Sequence, residues 1–303
     1  MIILRPVEVT DSRLTTTNVT EADESEWNSG TAYALAAVVM RTVSGTHSIY
    51  SSLQASNTGN IPENDSLTAP VFWARVSATN RWAMFSDQIS DQTERADNIA
   101  IEITPAALVN GITMFNLSAE SVNVTLTDPA DGEVYNTDFA LTDDSGVNTW
   151  YMYFFEPIVR ATSLAILDLP PYASAVIAIT ITDTGNTAKC GLVNMGAQAI
   201  LGETDYGSGI GIVDYSRKER DTFGNPVVIT RNYSKKATYS ITTDTAYVAT
   251  VQQILADLRT TPMSWVGSVE LGSTVVYGYY KDFSVILSNP TKSLLSIEVE
   301  GLT

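Results

Sequence analysis

The sequence has one cysteine, Cys190, and one histidine, His47, and these two shortages exclude whole classes of site. A single cysteine rules out an intrachain disulfide, so a small secreted scaffold held by disulfides is excluded. One histidine and one cysteine do not complete a closed zinc shell, and no nucleophile-elbow motif accompanies His47. We interpret Cys190 as a small buried side chain. We expect no catalytic residue, no metal and no cofactor, and therefore no enzyme.

Positive charge is also scarce. The chain has 17 Lys and Arg residues against 34 Asp and Glu residues, a formal net charge of -17. Such a surface repels phosphate backbones, so we expect no binding to nucleic acid. The acidity has two interpretations, which are solubility and docking onto a basic partner.

Long hydrophobic runs are absent. The longest apolar stretch, residues 34–40, is far shorter than the roughly 20 residues that span a bilayer, so we expect no membrane insertion. The first residues, Met-Ile-Ile-Leu-Arg-Pro, do not show the charged and then apolar pattern of a signal peptide. We therefore expect synthesis in the cytoplasm.

Hydrophobic residues make up 44% of the chain and charged residues only 17%. Thr, Ser and Asn fill many of the remaining positions, a composition that favours β structure. Alternating apolar segments at residues 99–103, 122–126 and 175–181 are separated by turn-forming residues. This spacing predicts a mostly β fold with a central β-sandwich or jelly roll.

Four regions are predicted along the chain. Residues 1–20 are expected to form an extended arm that adds a strand to a neighbouring molecule. Residues 21–90 form a small aromatic β module, and residues 91–190 form the β-sandwich, opening with a polar linker at 91–100. Residues 191–303 form a β-rich region with one amphipathic helix at 246–259, indicated by an apolar stripe at helical spacing. A strand pair that breaks at Asn289-Pro290 closes the chain.

Large aromatic residues mark the module: Trp27, Tyr33, Tyr50 and Trp73 stand among Asn, Gly and Pro residues. Their spacing resembles the small carbohydrate-binding modules of the chitin and cellulose type, whose exposed rings stack on sugars. The resemblance implies a glycan site at these four residues. The sequence Leu35-Ala36-Ala37 departs from the family pattern and suggests burial. A second interpretation stays open, in which the same rings form the core of a very small domain.

The sequence Asn-Arg-Trp-Ala-Met-Phe at residues 80–85 resembles a signature of bacteriophage tail and baseplate proteins. Segments 214–217, 263–268 and 296–302 resemble parts of the same family. The resemblance implies a structural component of the tail tip, baseplate or adaptor, located in the virion. Its partners would be other tail proteins and further copies in a symmetric homo-oligomer. One alternative is a receptor-binding tail protein that recognises host-surface carbohydrate, and another is a glycan-active enzyme, for which no catalytic set is present.

The densest charge cluster follows Asp214 and contains Arg217 and Arg220. One interpretation of this cluster is a solvated loop or hairpin. The other is an assembly contact, because arginine forms bidentate hydrogen bonds with carboxylates. Arg81 and Trp82 of the signature are the other predicted assembly contacts.

Overall fold

The structure, a computed structural model, describes residues 1–43, 45–143, 148–155, 157, 159–220, 222–269 and 271–302. The strands in chain order are β1 (Ile2–Pro6), β2 (Leu14–Thr17), β3 (Val38–Arg41), β4 (Ser48–Ser52), β5 (Trp73–Ala78), β6 (Thr93–Ile103), β7 (Gly111–Phe115), β8 (Ser121–Asp128), β9 (Gly132–Ala140), β10 (Thr142–Asp143), β11 (Val159–Arg160), β12 (Ser163–Ile166), β13 (Val176–Cys190), β14 (Leu192–Ile200), β15 (Glu203–Thr204), β16 (Gly209–Asp214), β17 (Arg217–Arg220), β18 (Pro226–Ile229), β19 (Tyr233–Asp244), β20 (Met263–Val266), β21 (Val275–Ile286) and β22 (Lys292–Gly301). The helices are α1 (Trp150–Phe155) and α2 (Val248–Asp257), with 3-10 turns at Pro62–Asn64, Ala83–Phe85, Thr245–Tyr247 and Gly272–Thr274. The predicted mostly β fold is confirmed.

A ten-stranded antiparallel sheet runs in the order β12-β7-β14-β1-β20-β21-β22-β19, and β15 and β16 both pair with β19 at its far end. The strand pair predicted near the C-terminus is confirmed as β21 and β22. Leu295, Ile297 and Val299 of β22 are buried and alternate with exposed residues, as the period of a strand requires.

A five-stranded sheet in the order β2-β6-β13-β8-β9 packs against one end of the large sheet. Ile112 and Met114 of β7 and Val193 and Met195 of β14 belong to the same buried cluster as this sheet. The arrangement is β-sandwich-like, because the inner faces of two sheets share one core. Three buried cross-strand pairs of β13 and β8 contribute to it: Ile177 with Leu126, Ile179 with Val124, and Ile181 with Val122.

A second core lies on the other part of the large sheet. The predicted helix is confirmed as α2, preceded by its 3-10 turn, and it buries Val251, Ile254 and Leu255 in this core. Trp265 of β20 is fully buried there, and its indole nitrogen donates to the carbonyl of Gly278 at 2.9 Å. Within the described residues, no helix is both long and apolar enough to cross a bilayer.

The expectation that the first residues form a free arm is corrected by the position of Ile2–Pro6. β1 lies between β14 and β20, and Ile3 and Leu4 are completely buried. The amino group of Met1 donates to the carbonyl of Gly202 at 2.6 Å. Because both edges of β1 are paired within the chain, it has no free edge to offer a neighbouring molecule.

The polar segment at 91–100 is likewise a strand and not a linker, since Thr93–Ile103 pairs with β13 over its whole length apart from one bulge. The large sheet draws strands from both sides of residue 190, with β7 and β12 before it and β14 after it. The division of the chain into domains at 20, 90 and 190 stays a prediction.

Candidate functional site

The four rings predicted to bind sugar belong to, or pack against, the small hydrophobic core of the three-stranded sheet β3-β4-β5. Trp73 is 1% exposed and Tyr50 is 5% exposed, and with Val39 they form the core of this sheet. The indole nitrogen of Trp73 donates to the carbonyl of Asn60 at 2.8 Å. Neither ring has a face open to a ligand, so the assignment of Tyr50 and Trp73 to a sugar platform is corrected.

Trp27 and Tyr33 are half-buried against the same core. The guanidinium of Arg41 lies 4.9 Å from the centre of the Trp27 ring, a cation–π contact. Arg41 is held there by a hydrogen bond from its Nε to Glu63 at 2.9 Å, and this contact lowers the pKa of the Glu63 carboxyl. The ring of Tyr33 meets Trp73 edge-on at 5.2 Å. Both rings are thus engaged within the module, which favours the core interpretation.

The phage-like signature at residues 80–85 is buried at its centre, residues 82–84, and half-buried at both ends. Trp82 is buried, and the Nε of Arg81 donates to the carbonyl of Val19 at 3.0 Å. The side-chain amide of Asn80 donates to the carbonyl of Glu94 and accepts from its backbone nitrogen, at 2.9 and 2.7 Å. The described contacts of Arg81 and Trp82 join segments of the same chain, and their role as assembly contacts stays a prediction.

His47 contacts three other parts of the chain, at Asp11, Glu21 and Trp82. Its Nδ1 lies 2.8 Å from Glu21 and its Nε2 lies 2.7 Å from Asp11, while the ring stacks on Trp82 at 4.2 Å. Each ring nitrogen is thus within hydrogen-bond distance of a carboxylate oxygen. Glu21 also accepts from the hydroxyl of Thr79 at 2.7 Å. His47 is therefore a structural connector in this geometry.

We expect His47→Ala to lower the free energy of unfolding by ~2–3 kcal/mol, because it leaves the buried carboxylate of Glu21 short of a partner. The side chains of His47 and Glu21 are 12% and 8% exposed. Asp11→Ala is the matched control and should cost less than ~1 kcal/mol, since that carboxylate is largely exposed. Urea unfolding measures both changes. Equal stability of His47→Ala and wild type would contradict the connector role.

Cys190 is completely buried, and burial raises the pKa of its thiol to about 12. A thiol held protonated is a poor nucleophile, so the prediction of a small buried side chain is confirmed.

The charged cluster after Asp214 forms a hairpin, β17 paired with β18, in which all eight strand residues are exposed. Arg217 pairs with Glu219 at 2.5 Å, and Arg220 donates to the carbonyl of Gly224 at 3.1 Å. Lys218 donates to Asp214 and holds the pKa of that carboxyl below its usual range. On the opposite strand Val227, Val228 and Ile229 are exposed. This hairpin of β17 and β18, called here the projecting hairpin, presents both predicted assembly arginines.

A second exposed feature is the aromatic helix α1. Its five rings are each between 67% and 79% exposed: Trp150, Tyr151, Tyr153, Phe154 and Phe155. They contact one another, as in the stacked pair of Trp150 and Phe154 at 6.2 Å. Sequence reasoning missed this segment, although the uninterrupted run Trp-Tyr-Met-Tyr-Phe-Phe is a signal. An apolar surface of this kind is typical of a binding site.

Comparisons with known proteins add little to this geometry. No protein-family model and no curated protein matches the chain. One similar solved structure is a selenomethionine-labelled mutant of chitosan-binding module 1, derived from a chitosanase/glucanase from Paenibacillus sp. IK-5. The two share 9% sequence identity with a TM-score of 0.26, over 38% of this chain and 83% of that chain. A likeness this slight carries no argument about fold or ligand.

Proposed function

We infer that this protein is a structural component of a bacteriophage tail, in the tail tip, baseplate or adaptor, and that it acts through protein–protein contacts in the virion. The observation that carries the proposal is the projecting hairpin, with eight exposed strand residues and no described strand on either outer edge. The phage-like segments at 80–85, 214–217, 263–268 and 296–302 supply the tail as the setting.

The physics of an isolated hairpin supports an assembly role. A two-stranded hairpin is only marginally stable in water, and its unpaired edges invite pairing with another chain. Here the edges come with three exposed apolar side chains on β18. A partner strand that pairs with an edge would satisfy its backbone hydrogen bonds, and the same partner would remove the apolar side chains from water.

Charge favours the same conclusion. β17 carries Arg217, Lys218 and Arg220 against Glu219, whereas the chain as a whole has a net charge of -17. With Asp221 counted, residues 217–229 have a net charge of +1 on an otherwise acidic protein, which favours an acidic partner surface. A further copy of the same chain offers such a surface, as does any acidic tail protein.

We expect the double substitution of Arg217→Glu and Arg220→Glu to remove the protein from virions while leaving its melting temperature within about 2 °C of wild type, because the altered side chains are exposed. A bacteriophage with this gene inactivated is complemented from a plasmid, and purified particles are assayed by mass spectrometry. At least a tenfold loss of the variant from particles is expected.

The control is Arg259→Glu with Lys292→Glu, which changes the net charge equally at exposed positions outside the hairpin. Particles that take up the hairpin variant as well as this control would overturn the contact. Particles that lack the wild-type chain would overturn the proposed function itself.

A second candidate function is recognition of host-surface carbohydrate by the aromatic helix. Trp150, Tyr151 and Tyr153 combine an apolar ring with a polar group, as sugar-stacking residues do. Their exposure, unlike that of Trp73, leaves ring faces available.

A further inference from the structure

The ten-stranded sheet curls until its two edge strands line the same groove. β12 is the strand at one edge, and β16 lies at the other. Ser163 and Leu164 of β12 line a groove of about 920 Å³ together with Ile210 and Ile212 of β16. The sheet therefore resembles a barrel that stops short of closing.

Both walls of this groove keep hydrogen-bonding capacity. Within the described residues, β12 pairs only with β7 and β16 pairs only with β19, so each strand has one edge without a partner strand. Edge strands of this kind accept an added strand, whose backbone supplies affinity and whose side chains supply specificity.

The groove is also apolar. Ile210 is 53% exposed and Ile212 is 66% exposed, and Val269 and Leu271 add to the same lining. Apolar side chains on an edge strand create an aggregation hazard unless another chain covers them.

We propose that β18 of a second copy of this chain adds to this groove, so that the projecting hairpin of each copy docks into the next. The proposal rests on the proposed function and names the partner of its assembly contact. β18 and β12 are both four residues long. A strand residue fills roughly 160 Å³, from the rise, strand spacing and sheet spacing of β structure, so four residues take up about 640 Å³ and fit the groove.

The side chains and charges of the hairpin are compatible with docking in this groove. Val227, Val228 and Ile229 are exposed and apolar, matching the exposed isoleucines of β16. β17 carries three cations and one anion, so this strand does not add to the repulsion between two copies that each have a net charge of -17. Two cations, Arg160 and Lys235, line the groove; Arg160 already pairs with Asp183 at 2.6 Å, and β18 itself carries no charge.

Thr142 of β10 and Arg160 of β11 also line the groove, and they pair with each other as antiparallel strand residues. Since hairpin and groove are different surfaces, the contact is head-to-tail, which generates a ring when its rotation closes.

Disulfide trapping tests the proposal. Val228→Cys and Ile212→Cys are made in separate proteins, one of which carries a size tag, so that mixed dimers separate on a non-reducing gel. Both positions are exposed, and native Cys190 is buried and does not compete. We expect the mixed dimer of Val228→Cys with Ile212→Cys to form at least fivefold faster than the mixed dimer of Val228→Cys with Leu67→Cys, a control at an exposed residue of the small module.

Equal rates for the two mixtures would overturn the groove as the docking site. If the arginine variant of the hairpin is still excluded from particles in that case, the proposed function stands and the hairpin docks elsewhere. Circular dichroism of the single-cysteine proteins checks that each is folded.

Discussion

Trp73→Ala is expected to lower the free energy of unfolding by ~3–5 kcal/mol. The indole is 1% exposed and packs with Val39 and Tyr50 in the core of the three-stranded sheet. Truncation leaves a cavity and also removes the hydrogen bond to the carbonyl of Asn60. A module this small has few other large side chains to close around the gap. Chemical unfolding followed by circular dichroism measures the change.

Trp150→Ala is the matched control, because the same residue type is there 79% exposed. Its stability should stay within about 0.5 kcal/mol of wild type. A screen of both variants against immobilised glycans then separates the two functions. Loss of glycan binding in Trp150→Ala alone would favour the carbohydrate-recognising alternative. A Trp73→Ala variant as stable as wild type would contradict the buried core.

Gly196→Ala is expected to cost more than about 3 kcal/mol, beyond the usual range for an overpacked site. Gly196 of β14 faces Pro6 of β1, and an added Cβ would lie 1.6 Å from the carbonyl oxygen of Arg5. That oxygen belongs to the backbone, so no side-chain rotation relieves the clash. β1 would have to leave its place between β14 and β20. Thermal unfolding, with sedimentation to detect aggregation, measures the effect.

Gly209→Ala serves as the control, since no atom lies within 4 Å of its added Cβ. It should leave stability unchanged within about 0.5 kcal/mol. A Gly196→Ala protein that melts with wild type would show that β1 is not held between β14 and β20. The original expectation of a free arm would then return.

Local hydrophobic patterns predicted several elements of the fold. The alternation of Leu295, Ile297 and Val299 predicted a strand with one buried face, and β22 has it. The apolar stripe of residues 248–258 predicted α2, whose buried positions belong to that stripe. Both signals depend on the period of the element itself, so neighbouring residues contain all the information.

Which strands pair with each other could not be predicted from local patterns. Residues 1–20 predicted an extended arm because a short apolar start is followed by Thr- and Asp-rich sequence, yet residues 2–6 pair with residues 196–200 and 264–266. Thr93, Glu94 and Arg95 read as a linker because they are polar, yet pairing with β13 makes them a strand. These pairings join residues far apart in sequence, and no local pattern specifies which segments meet.

The sequence by itself determined a mostly β chain, its closing strand pair, its amphipathic helix and its acidic surface. Only the tertiary structure decided which aromatic residues are interior and which are surface. Trp73 of β5 is enclosed because it packs with Val39 of β3 and Tyr50 of β4, and Trp150 is exposed because no described element covers α1. The physical reason is that burial depends on which elements pack together, while composition and period describe one element at a time.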